Sequence, residues 1–223
     1  MMHAGVLALI MMVTTAGAAQ AGPWLREEKT GFLSTTGGVT QNNDMSGSLY
    51  AEYGLTAATT IGASVFYGID RTLQQAGSAI VFLRRALSAP DATQKWAWHL
   101  GFGARSQNYT VTPAVEAGLS WGRGIQVGER YGWAVIDGSV NVPRSPLETR
   151  IKLDGTIGLG FTDRFKGMAQ VFLTHEDGEV FGKFAPSLLF TPRESKQTFQ
   201  LSVEFPFMGG GDAEIKIGLW REF

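Results

Sequence analysis

Across 223 residues the chain carries 44% hydrophobic residues, 17% charged residues and a formal net charge of −1. That balance excludes a polyanion-binding patch and leaves nucleic acid out as a partner, and the lack of cysteine excludes disulfides, thiol catalysis, thiolate metal sites and a lipoprotein anchor. No apolar run reaches the roughly 20 residues of a membrane helix; the longest, Val6 to Val13, is far shorter.

That run is the core of a secretory signal. It leads through small residues to an A-x-A site at Ala19-Gln20-Ala21, no charged residue precedes Arg26, and the composition changes abruptly at Gly22-Pro23-Trp24. The reading divides the chain into a signal peptide, 1–21, and one domain, 22–223, starting near Gly22. The amino-terminal region, Met1-Met2-His3, is weak for a signal because it has no Lys or Arg.

From Gly31 onward the period is 2. Leu49, Ala51, Tyr53 and Leu55 alternate with Ser48, Tyr50, Glu52 and Gly54, and Ile61, Ala63, Val65 and Tyr67 with Thr60, Gly62, Ser64 and Phe66. Trp96, Trp98, Leu100, Phe102 and Ala104 alternate with Ala97, His99, Gly101, Gly103 and Arg105; Val115, Ala117, Leu119 and Trp121 with Glu116, Gly118, Ser120 and Gly122. The clearest stretch is Leu147 to Phe161, whose odd positions are nearly all large aliphatics while Glu148, Arg150, Lys152 and Asp154 hold the even ones. A helix would scatter those charges around its circumference; only a strand keeps them on one face. Phe199, Leu201, Val203 and Phe205, and finally Ile215, Ile217 and Leu219, repeat the pattern.

Twelve strands are predicted, at 30–38, 46–55, 58–69, 76–87, 94–105, 113–122, 131–142, 147–161, 164–175, 181–191, 197–206 and 212–223. The seventh is ambiguous in facing, and a bulge is expected there. Strands of about 10 residues cross a bilayer when tilted. The tightest connections, Leu55-Thr56-Ala57 and Thr162-Asp163-Arg164, follow the second and eighth strands, so an even count puts both on the periplasmic side with the termini.

Alternation alone suits a soluble β-fold equally well. The membrane is favoured because the apolar face is wide and unbroken while the other face is small or polar, and because charged residues fall below the ~25% of soluble domains. Aromatics also gather at the predicted periplasmic strand ends: Tyr53, Trp96, Trp98, Trp121, Trp133, Phe161, Phe165, Phe190, Phe199 and Phe223. Such rings form the interfacial girdles of barrels. The expectation is an all-β, antiparallel up-and-down transmembrane β-barrel of about twelve strands with short loops.

The last segment, Ala213 to Phe223, resembles the C-terminal signal of bacterial outer-membrane β-barrel proteins. It has a final Phe223 and alternating Ile215, Ile217 and Leu219, with Gly218 before the end. Arg221 departs from the pattern, where an apolar residue is usual, but its head group can reach the interface. The resemblance covers the mature chain in pattern and the last strand in motif. It implies that Phe223, Leu219, Gly218 and Ile217 are read by the barrel-assembly machinery, and that the protein resides in the cell outer membrane among lipid and lipopolysaccharide. No functional family follows from it.

Residues expected to face the lumen are Tyr50, Glu52, Arg84, His99, Arg105, Glu116, Glu148, Arg150, Lys152, Asp154, Gln170, Lys183, Gln200, Glu204, Glu214 and Lys216. Their mixed charge fits the wall of a narrow passive channel for small polar solutes, with inward Gly and Ser leaving open volume. It fits equally a structural or lipopolysaccharide-interacting barrel whose charges pair and plug the lumen. A lipid-modifying enzyme is the lesser alternative: His99 and His175 are the two histidines after the signal, and neither sits in a Ser/His signature. No catalytic residue, metal site or cofactor is assigned. Glu176-Asp177-Gly178-Glu179 reads as a solvated turn, and the Gly37-Gly38 and Gly209-Gly210-Gly211 runs as loop glycines with no helix to cradle phosphate.

Overall fold

The computed structural model describes residues 22–144 and 147–223, and the predicted signal peptide lies outside them. Twelve strands follow one another: β1 (Gly31–Thr40), β2 (Met45–Thr56), β3 (Thr59–Ile69), β4 (Gln75–Ala86), β5 (Gln94–Gln107), β6 (Thr110–Val127), β7 (Arg130–Pro143), β8 (Arg150–Gly160), β9 (Phe165–Glu176), β10 (Glu179–Phe190), β11 (Gln197–Met208) and β12 (Glu214–Glu222). Each pairs antiparallel with its sequence neighbours, and β1 pairs with β12 to close the barrel. Closure matters because no water is available in lipid to satisfy an open edge, so every strand must find its partner within the sheet.

The side on which the large aliphatics lie decides the solvent. Leu119, Leu153 and Ile157 are 46%, 49% and 53% exposed and point away from the axis, as do Val81, Leu100, Phe102, Leu201 and Ile217. This outward apolar belt is incompatible with a soluble β-fold, which would turn the same residues inward. Arg84, Arg105, Glu52, Glu204 and Glu214 are buried on the inner face.

Three expectations are corrected by the strands. β7 carries no bulge: it keeps unbroken register with β6 from Val127↔Arg130 to Ala114↔Pro143, and with β8 from Gly132↔Leu159 to Asn141↔Arg150. Its odd residues face inward, so Trp133 and Val135 are buried in the lumen and Trp133 is not part of a girdle. Register shifts occur instead at Gly54/Thr56 between β2 and β3 and at Gly182/Lys183 between β10 and β11. Finally, β8 begins at Arg150, so Glu148 is exposed outside the strand and the inward ladder has three charges, not four.

We call the end where β1 begins and β12 finishes the terminus end. Its connections are 57–58, 87–93, 128–129, 161–164 and 191–196; the far end has 41–44, 70–74, 108–109, 144–149, 177–178 and 209–213. Two-residue turns therefore occur at both ends, and tightness alone does not mark a side. At 177–178 both turn residues are left-handed, with φ of 55° at Asp177 and 76° at Gly178, the twist a tight hairpin needs.

Candidate functional site

The lumen is layered. At the far mouth, Glu176 on β9 accepts hydrogen bonds from Arg105 on β5 and, at 2.7 Å, from Arg150 on β8. Arg105 also donates to the Glu148 carbonyl at 2.8 Å, which gives Glu148 a backbone role in place of the predicted side-chain one. Arg105, Arg150 and Glu176, with Phe66 and Phe181, line a cavity of about 260 Å³. A second cavity of about 350 Å³ shares Phe66, Ala76 and Gln107 with it and extends to Lys183 and Glu214.

Deeper on one wall, Glu204 on β11 accepts from Lys183 and Lys216, both at 2.6 Å, and Lys216 lies 3.3 Å from Glu214. Ser46 donates to Glu214. On the facing wall His99 Nε2 is 3.5 Å from Glu116, Asn141 donates to Glu116 at 3.2 Å, and Lys152 sits 3.3 Å from Asp154. Gln170 donates to Thr156 at 3.1 Å and Gln200 to Ser187 at 3.2 Å. Thus Arg84, His99, Arg105, Glu116, Arg150, Lys152, Asp154 and Glu204 all face the lumen, in separate paired groups around its wall.

The centre is held by Glu52, whose side chain is wholly enclosed. It accepts from Arg26 Nε at 2.8 Å, from the Tyr50 hydroxyl at 2.5 Å and from Arg84. Aromatic rings run beside this group around the inner wall. Trp220 meets Phe32 at 6.2 Å, Phe32 meets Tyr50 at 6.4 Å, Tyr50 stacks on Phe82 at 5.8 Å and Phe82 meets His99 at 5.9 Å. Arg26 lies 4.4 Å over the Phe32 ring, a cation–π contact that also desolvates the guanidinium.

Arg26 belongs to no strand. Residues 22–28 precede β1 and fold into the terminus end of the lumen. Trp24 packs against the buried cluster of Trp133, Val135, Met168 and Leu189, with Trp220 beside it. Pro23 is fully buried, and the Arg26 N–H donates to Thr60 Oγ1 at 3.1 Å. Wall glycines make the room: a Cβ on Gly122 would strike Trp24 and Pro23, and one on Gly54 would strike the Glu27 carbonyl. Inward glycines elsewhere are likewise filled, Gly158 by Trp133, Gly62 by Phe82 and Gly118 by His99. At these positions inward glycine leaves no open volume, because large neighbours occupy the space that each missing side chain vacates, whereas Gly68 lines the second cavity.

Sequence reading did not find this segment as a plug. The signal for it was the apolar run Pro23-Trp24-Leu25 placed before the first alternating strand. Asp137 was also missed, although the apolar even positions Ala134, Ile136, Val140 and Val142 define β7's outer face and so put Asp137 inside.

The girdle residues lie outward near the terminus end. Tyr53, Trp96 and Phe161 are partly exposed, Trp121 pairs across from Trp96 and donates to Gln94 at 2.9 Å, and Phe190 meets Phe165 at 5.0 Å. At the seam, Gly31 and Phe223 exchange backbone hydrogen bonds of 2.7 and 3.0 Å, and the Phe223 ring covers Gly31. Ile217 and Leu219 face outward on β12 while Gly218 is buried against Gln200 and Thr36. His175 is exposed on the outer side of β9. Among the described residues no cluster of three His, Asp or Glu is placed to hold a metal ion.

No protein-family model and no curated protein matches this chain. Solved structures do. The KdgM porin superposes with a TM-score of 0.62 at 8% identity, covering 86% of this chain and 99% of that one. LpxR from Salmonella typhimurium gives 0.58 at 10% identity over 85% and 99%, and an outer membrane channel from Pseudomonas putida F1 gives 0.54 at 10% over 90% and 97%. At these identities the likeness is one of fold. The chain is a closed twelve-stranded antiparallel β-barrel with an outward apolar belt, the fold that these outer-membrane proteins share.

Proposed function

We propose that the protein is a narrow passive channel for small polar solutes, closed at rest on its terminus end by residues 22–28. The observation that carries this reading is the composition of the obstruction. At the far mouth the wall is charged and bounds a cavity, whereas the terminus end is filled by Trp24, Pro23 and Arg26, which belong to a segment that is not part of the wall. A segment of that kind can leave without breaking the pairing between barrel strands, at the loss of one isolated backbone bridge, Glu28 to Gly54. The channel-type neighbours in the same fold agree with the reading, and so does the lack of a hydroxyl partner on His99, whose contacts are Glu116 and Phe82. In this reading His99 is a wall residue. Its other partners are outer-membrane lipid and lipopolysaccharide around the belt, and the assembly machinery acting on the last strand.

One observation favours a second reading, a plugged barrel with a structural role. Trp133, Met168, Leu189 and Trp220 lie on wall strands and stay in place when the segment leaves. Planar-bilayer recordings on the mature chain with and without residues 22–28 separate the two. The channel reading expects little conductance from the intact protein and a several-fold rise in the deletion variant. Silence from both, with no leakage of small sugars from loaded liposomes, supports the structural barrel and ends the channel reading.

A further inference from the structure

The inner wall formed by β6, β7 and β8 is short of one cation. Asp137 on β7 is the direct cross-strand neighbour of Asp154 on β8, so two inward carboxyl groups stand side by side. Like charges in that position repel. Ser120, opposite on β6, donates its hydroxyl to Asp137. The basic side chains that reach Asp137 are Arg84, His99 and Lys152, and each is engaged by another acid: Arg84 by Glu52, His99 by Glu116 and Lys152 by Asp154. Even with Lys152 beside it, Asp154 keeps a buried Oδ1 with no hydrogen-bond partner. Two adjacent buried carboxylates with one shared lysine call for a further positive charge.

Gly22 lies against Asp137 of this pair. A Cβ on it would sit 3.6 and 3.7 Å from the two Asp137 carboxylate oxygens and 2.9 Å from Val135 Cγ1, so the residue is pressed on the wall beside the acid with no room for a side chain. In the uncut chain the Gly22 nitrogen is a neutral amide. The A-x-A site ends at Ala21, and hydrolysis of the Ala21–Gly22 amide breaks that C–N bond with one water. The hydroxyl goes to the Ala21 carbonyl carbon and a hydrogen to the Gly22 nitrogen; proton transfer then leaves a carboxylate on the departing peptide and an ammonium on Gly22.

We propose that this processing-generated α-ammonium is a structural cation of the lumen, held by Asp137 with Asp154 Oδ1 as its second acceptor, and that it latches residues 22–28 inside the barrel. Removal of the signal peptide creates, at one atom, the charge that the wall lacks. An amine has three donors, enough for both carboxylates, and a charge-assisted contact of this kind in a dry site is stronger than a neutral hydrogen bond. The inference rests on the export reading and is independent of whether the barrel conducts.

The test reads the reactivity of the amine. Protein extracted from the outer membrane is first measured by intact mass, which should place its first residue at Gly22. Folded protein is then acylated near neutral pH with an N-hydroxysuccinimide ester, which favours an α-amine over lysine. The tryptic peptide 22–26 contains the α-amine and no lysine, so its labelling is read directly by mass. The expected result is labelling at least ten-fold slower than in boiled protein, rising about ten-fold in Asp137→Asn, while Asp137→Glu stays protected and exposed Lys29 labels equally in all. A heat-modifiable gel shift verifies that each variant is folded; should Asp137→Asn not fold, Asp154→Asn and Asp137→Glu take its place. A first residue other than Gly22 overturns the proposal, as does labelling of the folded wild type at the boiled rate. Slow labelling that no carboxylate variant changes also overturns it, since the amine would then be enclosed without being paired. A silent bilayer recording bears on the channel reading alone and leaves these outcomes intact.

Discussion

A methyl group on Gly122 would fall 2.5 Å from the Trp24 indole, so β6 is hollowed opposite a residue of the N-terminal segment. Seat and occupant should therefore be sensitive in opposite directions of size. Gly122→Val overpacks the site and should cost about 1–3 kcal/mol; Trp24→Ala empties it and should cost about 3–5 kcal/mol at most. Both should lower the temperature at which the folded gel band converts to the unfolded one, and both should raise conductance if the plug is the closed gate. A Gly122→Val protein with unchanged melting would mean that Trp24 is not held there.

Glu52 joins three elements, taking hydrogen bonds from Arg26 of the plug, Tyr50 of its own strand and Arg84 of β4. Because the group is enclosed, removing its charge leaves two guanidinium groups without their anion. Glu52→Gln should destabilise the barrel by about 3–5 kcal/mol. Adding Arg84→Gln should recover part of the loss, because the second change removes the stranded charge. A double variant as unstable as the sum of the two singles would place the cost in packing and not in charge.

How much of this was legible depended on what each residue reports. Period-2 alternation read the strand count and the outward face correctly, because lipid demands apolar residues at every other position of every strand. The interior has no such rule. Trp133 and Trp24 are as apolar as belt residues, so composition sent Trp133 to the girdle when its place is inside the lumen, on β7 against Trp24. Ion pairs such as Arg105–Glu176 join β5 to β9 across the lumen, and no spacing along the chain encodes that distance. Glu148 continued the alternation in sequence, but β8 begins only at Arg150.

The Asn108–Tyr109 turn between β5 and β6 holds both residues left-handed, with φ of 46° and 70°. That geometry favours Asn followed by Gly, and a tyrosine there carries a steric cost. Tyr109 is 78% exposed, and its hydroxyl accepts only from Gln75 at 3.0 Å. Tyr109→Gly should therefore raise stability by roughly 1 kcal/mol, relief of backbone strain outweighing one exposed hydrogen bond. A lower melting point would show that the ring contributes more than the turn costs.

At the far mouth Glu176 bridges Arg105 and Arg150 and offsets one of their two charges. If the barrel conducts, Glu176→Gln should leave two unbalanced cations at the entrance and shift the reversal potential toward anion preference. Arg150→Gln with Lys152→Gln should shift it toward cations. These opposite signs should shrink as salt rises, since the Debye length falls from ≈ 10 Å at 0.1 M to 3 Å at 1 M. Equal selectivity in both variants at low salt would mean that ions do not pass this layer.

Phe223 lies where the barrel seam closes. Its carbonyl accepts the Gly31 N–H, its own N–H donates to the Gly31 carbonyl, and its ring covers the bare backbone of Gly31. The ring is 57% exposed on the outer side, so it anchors no core, and two backbone hydrogen bonds at the rim are worth about 1–3 kcal/mol together. Deleting Phe223 should thus lower the melting point of detergent-refolded protein only modestly. Assembly in cells should suffer far more if the residue is the feature that the machinery reads, with most of the chain failing to reach the heat-modifiable form. Phe223→Tyr, which keeps the ring and both backbone contacts, should assemble nearly as well as the wild type. Phe223→Ala keeps the backbone contacts and loses the ring, and so tells the two roles apart. Normal assembly of Phe223→Ala with a lowered melting point would assign the residue to the seam, whereas poor assembly with unchanged melting would assign it to recognition.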